Sequence, residues 1–335
     1  MRVCLYGAGA LGGFLGAYLS RSGSDVSVVE VGPTLEALRR HGLRVQTKTE
    51  LLQQPVRATD NPAALGVQDL IVIAVKAPTL VQVAKGIAPL IGPETVIMPA
   101  MNGVPWWFFD GFGGKYAGMR LESVDPNGAM AKAIPARQVV GCVVHGSFSS
   151  IEPGFTRHGS GKRLIIGAPD GAESERVRIL ATLLSKAGMD VEVSRCIQMD
   201  VWYKLWGNMT MNPVSSFTGA TLDRILDDPL VTRFCLAIME EAARIGARFG
   251  CLITETGEER NAVTRELGAF KTSMLQDVEA GKPVELDALV SVVREIGQKV
   301  GEPTPYTDIL LGLSRLHAQT HGLYPLPARS TGAGA

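Results

Sequence analysis

Lys204, Asn208 and Asn212 stand four residues apart in the stretch Val201-Trp202-Tyr203-Lys204-Leu205-Trp206-Gly207-Asn208-Met209-Thr210-Met211-Asn212-Pro213. The stretch reads as helix, and that spacing stacks one ammonium and two amides on a single face. Their neighbours Val201, Leu205, Trp206 and Met209 are apolar. An ammonium among apolar groups is costly without a partner, so its presence needs a reason. One reason is chemical: a positioned lysine can stabilise charge growing on a carbonyl oxygen and then supply the proton. The other is a solvated stripe on a half-buried helix, and the helix alone does not separate the two. A second polar group, Lys271-Thr272-Ser273-Met274-Leu275-Gln276-Asp277 followed by Glu285, has the same two readings.

The N-terminus shows what could position a partner for that lysine. Arg2 to Tyr6 reads as a strand, Gly7-Ala8-Gly9-Ala10-Leu11-Gly12-Gly13 follows, Phe14 to Ser20 reads as helix, and Asp25 to Glu30 is a second strand. Each glycine of this G-x-G-x-x-G serves a separate need. Gly7 allows a tight turn, Gly9 lets the backbone approach a pyrophosphate closely, and Gly12 lets helix and strand pack closely. Phosphates would rest on the helix N-terminus, against Ala8, Ala10 and Leu11. The motif alone is weak in a chain with 38 glycines. As the opening turn of a βαβ unit it points to a dinucleotide. Glu30 closes the second strand, where an acid bonds the adenosine ribose and favours NAD(H); an arginine there would meet the NADP(H) phosphate. Glu30 also reads as a merely exposed strand end. Arg39 and Arg40 come later, on a helix.

Further α/β units follow. Leu43 to Thr47 and Val56 to Thr59 read as short strands, and Asp69 to Lys76 and Thr95 to Ala100 as strands buried on both faces of a parallel sheet. Lys76 and Asn102 lie at the carboxyl ends of the latter two, where such sheets bind ligands. A solvated lysine and an Asn-Gly turn account for them equally well. Pro105-Trp106-Trp107-Phe108-Phe109 and the glycines behind it open a segment, 105–133, that reads as a lid, a packing plug or a subunit contact. Val139 to Ser149, Arg163 to Ile166 and Met189 to Ser194 are expected strands, with turns at Glu152-Pro153-Gly154 and Gly159-Ser160-Gly161, and Glu173 to Ala187 an expected helix. From Cys196 the pattern is helical: Gln198 to Phe217, Pro229 to Gly250, Glu258 to Glu279 and Glu285 to Val300. The expected architecture is an α/β Rossmann-type domain over 1–195, an all-α domain over 196–325, and a loose tail over 326–335, with the looseness beginning at Leu323.

Bulk properties narrow the class. The chain has 335 residues with 33 basic and 33 acidic side chains, which argues against nucleic acid or an anionic membrane as partner. Apolar content of 46% implies a sizeable packed core. Five scattered cysteines without a C-x-x-C pair read as reduced thiols of a cytoplasmic protein. No leader or membrane-spanning run is evident. No metal cluster is expected. A homodimer is compatible with the sequence but not required by it.

The residues also resemble a known family. Gly7-x-Gly9-x-x-Gly12, Val75-Lys76-Ala77, Asn102-Gly103-Val104, Pro153-Gly154 followed by His158 and Gly161, Lys204-x-x-x-Asn208-x-x-x-Asn212-Pro213, and Lys271-x-Ser273-Met274-x-Gln276-Asp277 leading to Glu285 are together similar to the ketopantoate reductases. The resemblance implies an N-terminal Rossmann domain, a helical C-terminal domain and a cleft between them. It implies that Lys204 is the general acid, that Asn208, Asn212 and Ser273 hold the substrate, that Glu285 bonds the substrate hydroxyl, and that Asn102 and Lys76 lie at the site. The reaction implied is NADP(H)-dependent reduction of 2-dehydropantoate, a small 2-oxo acid, on the route to pantothenate and coenzyme A. Glu30-Val31 replaces the arginine usual in that family, which leaves NAD(H) open. The aromatic segment after Asn102 leaves open a different 2-oxo acid or a bulkier ketone.

Other readings compete. A β-hydroxyacid dehydrogenase also uses Lys-x-x-x-Asn, but Asn212-Pro213 and the Ser273–Glu285 cluster speak against it. No Tyr-x-x-x-Lys occurs, as a short-chain dehydrogenase would need. A non-catalytic NAD(P) sensor would have no use for the catalytic set.

Overall fold

The computed structural model describes residues 1–326 of the chain. The chain packs into two units. The first holds Met1–Lys204 with Phe249–Cys251, and the second holds Leu205–Arg248 and the chain from Leu252 onward.

In the first unit, strands β1 (Arg2–Tyr6), β2 (Asp25–Val29), β3 (Leu43–Gln46), β4 (Leu51–Gln54), β5 (Arg57–Thr59), β6 (Leu70–Ile73) and β7 (Val96–Pro99) are followed by β8 (Gly141–Glu152), β9 (Phe155–Gly167) and β10 (Asp190–Val193). Helices α1 (Ala10–Arg21), α2 (Gly32–His41), α3 (Leu80–Gly86), α4 (Ala129–Ala133) and α5 (Glu175–Lys186) lie between them. The parallel sheet runs β5-β2-β1-β6-β7. Its order reverses at β1, which pairs Cys4 with Ser27 on one side and with Ile71 on the other. Leu70–Ile73 and Val96–Pro99 are buried at every position, as a sheet covered on both faces requires. Crevices for ligands form at such a switch point, outside the carboxyl ends of the strands.

The second sheet is β10-β9-β3-β4, with β8 antiparallel to β9. Here the structure departs from the sequence expectation. The glycines Gly159 and Gly161 do not end a strand. β9 runs through them, and the mismatch is absorbed as register shifts between His145, Ser147 and Phe148 of β8. Long pairing with β8, β3 and β10 outweighs the local turn signal. The start of the aromatic segment agrees with one of its three readings, the packing plug. Trp106, Trp107, Phe108 and Phe109 are each at most 3% exposed, and Phe108 meets Trp202 and Phe249 with ring centroids 6.1 and 5.8 Å apart. It is a packing plug.

Every described element of the second unit is helical. α6 (Ile197–Thr218) carries the chain from one unit into the other. Then come α7 (Leu222–Asp227), α8 (Pro229–Phe249), α9 (Gly257–Arg265), α10 (Ser273–Glu279), α11 (Val292–Val300) and α12 (Pro305–Thr320). The single helix expected over Glu258 to Glu279 is two. Gly268 takes a left-handed φ of +62° and Thr272 caps the next helix through Leu275 N–H, so a stop and a start signal both act. The looseness expected from Leu323 is also corrected. Leu323 is 6% exposed, and its N–H donates to Ala318 O at 2.8 Å. Residues 327–335, where most of the expected tail lies, are outside the described residues. No helix of the described residues is long and apolar enough to cross a membrane.

Glu241 of α8 is 1% exposed, and its carboxylate accepts from Tyr306 N–H, Thr307 N–H and Thr307 Oγ1 at 2.9, 2.9 and 2.7 Å. It caps the N-terminus of α12, where orphan donors and the helix dipole favour a negative charge. Pro305 at the first turn has no donor to waste there. Glu241→Ala is expected to cost about 2–4 kcal/mol, because buried donors lose a charged acceptor. Denaturant midpoints of the two proteins test this, and a loss below about 0.5 kcal/mol would sink the account.

Candidate active site

The glycine loop fits a dinucleotide residue by residue. Gly7, with φ +95°, makes the turn out of β1, and a Cβ there would lie 2.7 Å from Val75 Cγ1. A Cβ on Gly12 would lie 2.1 Å from Gly7 O and 3.1 Å from Ala74 Cβ, so only glycine lets α1 pack this close to the strand ends. Gly9 is the opposite case: nothing of the protein lies within 4 Å of its Cβ position. Internal packing does not demand a glycine at Gly9. Close approach by a pyrophosphate would. Gly9 is also the N-cap of α1 and offers no side-chain acceptor, which leaves the first-turn donors, from Ala10 and Leu11 on, for an anion.

Glu30 reaches back to this loop. Its Oε2 accepts from Ala8 N–H at 2.7 Å and its Oε1 from Val31 N–H at 3.0 Å. Ala8, expected to face the cofactor, therefore spends its donor on Glu30. The carboxylate is fixed at the end of β2, beside the loop, where an adenosine ribose would lie. Arg39, on the helix that follows, is itself paired. Its guanidinium is already placed 3.3 Å from Glu36 and 3.7 Å from Asp60, with Nε donating to Ala58 O at 3.5 Å.

Lys204 and Asn102 come together. Lys204 Nζ donates to Asn102 Oδ1 at 2.9 Å and to Val144 O at 2.7 Å. Asn102 follows β7 and Val144 lies in β8, so the ammonium is fixed between two strands of different sheets. Asn102 accepts through its oxygen, which turns its amide donors elsewhere. Burial pushes the Cys142 thiol up to about 12, against the pull of the nearby Lys204 charge. That thiol stays protonated beside the lysine. The Val144 carbonyl could not have been found in the sequence, since every residue carries one. Lys76 stands just past β6 and is exposed, and its carbonyl accepts from Thr79 N–H and Thr79 Oγ1.

The other candidates belong to the second unit. Asn208 is half-buried and Asn212 is 7% exposed. Neither amide has a hydrogen-bond partner among the described residues, which leaves their donors and acceptors open to solvent or a ligand. Pro213 follows directly inside α6, where it deprives the Met209 carbonyl of its donor at about 3 kcal/mol. Ser273 is the exposed first residue of α10, and Glu285 is 7% exposed just before a π-turn, Asp287–Ser291. Sequence patterns give no sign of that π-turn or of Asp287.

Comparison with known proteins finds similar chains over nearly the full length of this one. Residues 3–107 match the family described as ketopantoate reductase PanE/ApbA, and residues 196–318 match its C-terminal part. The chain is 42% identical to the 2-dehydropantoate 2-reductase of Mesorhizobium japonicum, over 97% of this chain and all of the relative. A crystal structure from Ralstonia solanacearum MolK2, named provisionally a ketopantoate reductase, is 58% identical with a TM-score of 0.92 and covers 96% of this chain and 99% of its own. The 2-dehydropantoate 2-reductase of Geobacter metallireducens GS-15 is 25% identical with a TM-score of 0.83, over 94% and 99%.

Proposed function

The chain belongs to the ketopantoate reductase family, and on that footing we propose that it reduces 2-dehydropantoate to pantoate, on the route to pantothenate. It is an oxidoreductase acting on a CH–OH group with a pyridine nucleotide. The observation that carries the reading is the ammonium of Lys204, held by Asn102, just past the carboxyl end of β7, and by the Val144 carbonyl of β8.

The bound nicotinamide would supply the hydride. The loop from Gly7 to Gly12 holds the pyrophosphate, and Glu30 the adenosine ribose. Lys204 stabilises the negative charge that grows on the carbonyl oxygen and then gives that oxygen a proton. Asn102 keeps the ammonium aimed. Asn208, Asn212 and Ser273 bind the substrate, and Glu285 accepts from its hydroxyl. Orientation of this kind lowers the barrier by sparing rotational and translational freedom. The adenosine end favours NADH over NADPH, because Glu30 is acidic and Arg39 is already paired.

Initial rates of nicotinamide oxidation with 2-dehydropantoate and a panel of other 2-oxo acids test the assignment. The highest kcat/KM is expected with 2-dehydropantoate. A tenfold preference for another 2-oxo acid would overturn the substrate and leave the reaction class standing.

A further inference from the structure

The short segment after α12 grips the chain on both sides of Glu285. On the near side, Val284 N–H donates to Leu323 O at 3.1 Å. On the far side, Tyr324 Oη donates to Asp287 Oδ1 at 2.7 Å, and Ser291 Oγ donates to the same oxygen at 2.9 Å. The segment is itself anchored to the end of α12, through Leu323 N–H to Ala318 O at 2.8 Å and Gln319 Nε2 to Pro325 O at 2.9 Å. Val284, Glu285 and Leu286 are 3%, 7% and 1% exposed. They lead directly into the π-turn Asp287–Ser291.

A π-turn is a rare and less favourable form of helix, and it persists where surrounding contacts over-determine it. Such contacts are present. Asp287 opens the π-turn and Ser291 closes it, and both meet at one carboxylate oxygen with the Tyr324 hydroxyl. Burial, then the Asp287 carboxylate, pushes the Tyr324 phenol well above its usual range, so it stays a donor at any physiological pH.

We propose that Tyr324, acting through Asp287 and the π-turn, is a positioning residue for Glu285 in substrate binding. The inference rests on the reading that Glu285 contacts the substrate. Without the phenol, the π-turn keeps only Ser291 on Asp287, and the backbone that presents Glu285 gains a freer range. Misplacement by about 1 Å at such a group is enough for a large kinetic loss.

Tyr324→Phe removes one hydroxyl and leaves the ring in place. It is expected to raise KM for 2-dehydropantoate about 5- to 20-fold, with kcat within about threefold, nicotinamide affinity unchanged and the melting temperature nearly so. Asp287→Ala is expected to behave alike, whereas Asp287→Asn, which keeps an oxygen acceptor, restores most of the affinity. Glu285→Gln tests the underlying reading separately: if it leaves the kinetics unchanged, the reading of Glu285 fails on its own account. If Glu285→Gln raises KM, the double variant decides the proposal. Tyr324→Phe should add little on the Glu285→Gln background. A full additional loss there, or an unchanged KM in Tyr324→Phe alone, overturns it.

Discussion

Lys204→Ala is expected to cut turnover of 2-dehydropantoate at least about a hundredfold, the low end for loss of a general acid. Binding of the reduced nicotinamide should be unaffected. The loop residues Gly7 to Gly12 and Glu30 take no hydrogen bond from Lys204, whose ammonium goes to Asn102 and Val144. The variant leaves those two oxygens without that donor, so a modest loss of stability accompanies the kinetic effect. Melting curves separate the two. Lys204→Arg keeps the charge, but a planar fork does not replace a compact ammonium between an amide and a strand carbonyl. Little recovery is expected. A kcat near that of the unaltered enzyme in either variant would falsify the role given to Lys204.

NADH is expected to surpass NADPH in kcat/KM by at least about tenfold, which corresponds to about 1.4 kcal/mol. A 2′-phosphate beside Glu30 would bring like charges together, and at about 4 Å in surroundings of effective dielectric near 20 a unit pair costs about 4 kcal/mol before screening lowers it. The carboxylate cannot easily swing aside, because Ala8 N–H and Val31 N–H hold both of its oxygens. Arg39 offers no relief while Glu36 and Asp60 flank it. Glu30→Ala should narrow the preference, mainly by losing NADH affinity. Equal or better kinetics with NADPH in the unaltered enzyme would remove Glu30 as the selector.

The parts of this protein legible in its sequence are those where one residue type answers one local demand. Gly7, Gly9 and Gly12 read as a turn, a phosphate approach and a close packing, and the space around each agrees with that reading. Strands β1, β6 and β7 lie inside a sheet covered on both faces, so their apolar runs are plain. The α9–α10 break is written in Gly268 and Thr272, but an apolar period running across both positions outweighs two point signals. In β9 the reverse holds: Gly159 and Gly161 resemble a turn because long-range pairing leaves no mark in a local window. Lys204 is recognisable by its type and spacing. Its partners are only half so, since Asn102 is a side chain and Val144 contributes a carbonyl. Leu323 and Tyr324 resemble the start of a tail because Leu-Tyr-Pro-Leu-Pro has no period, and their hold on Val284 and Asp287 depends on where α12 ends.

The packing plug has an optical consequence. All four tryptophans of the chain, Trp106, Trp107, Trp202 and Trp206, are at most 3% exposed, and the last two flank Lys204 within two residues on either side. The indole N–H groups of Trp107 and Trp202 are buried with no hydrogen-bond partner, so no solvent dipole can relax around their excited states. The native tryptophan emission is therefore expected to be blue, with none of it from surface indoles. Quenching or a red shift seen on titrating any ligand would originate at the plug or on the turn of α6 that carries the lysine, which makes the unlabelled protein its own reporter of that one region.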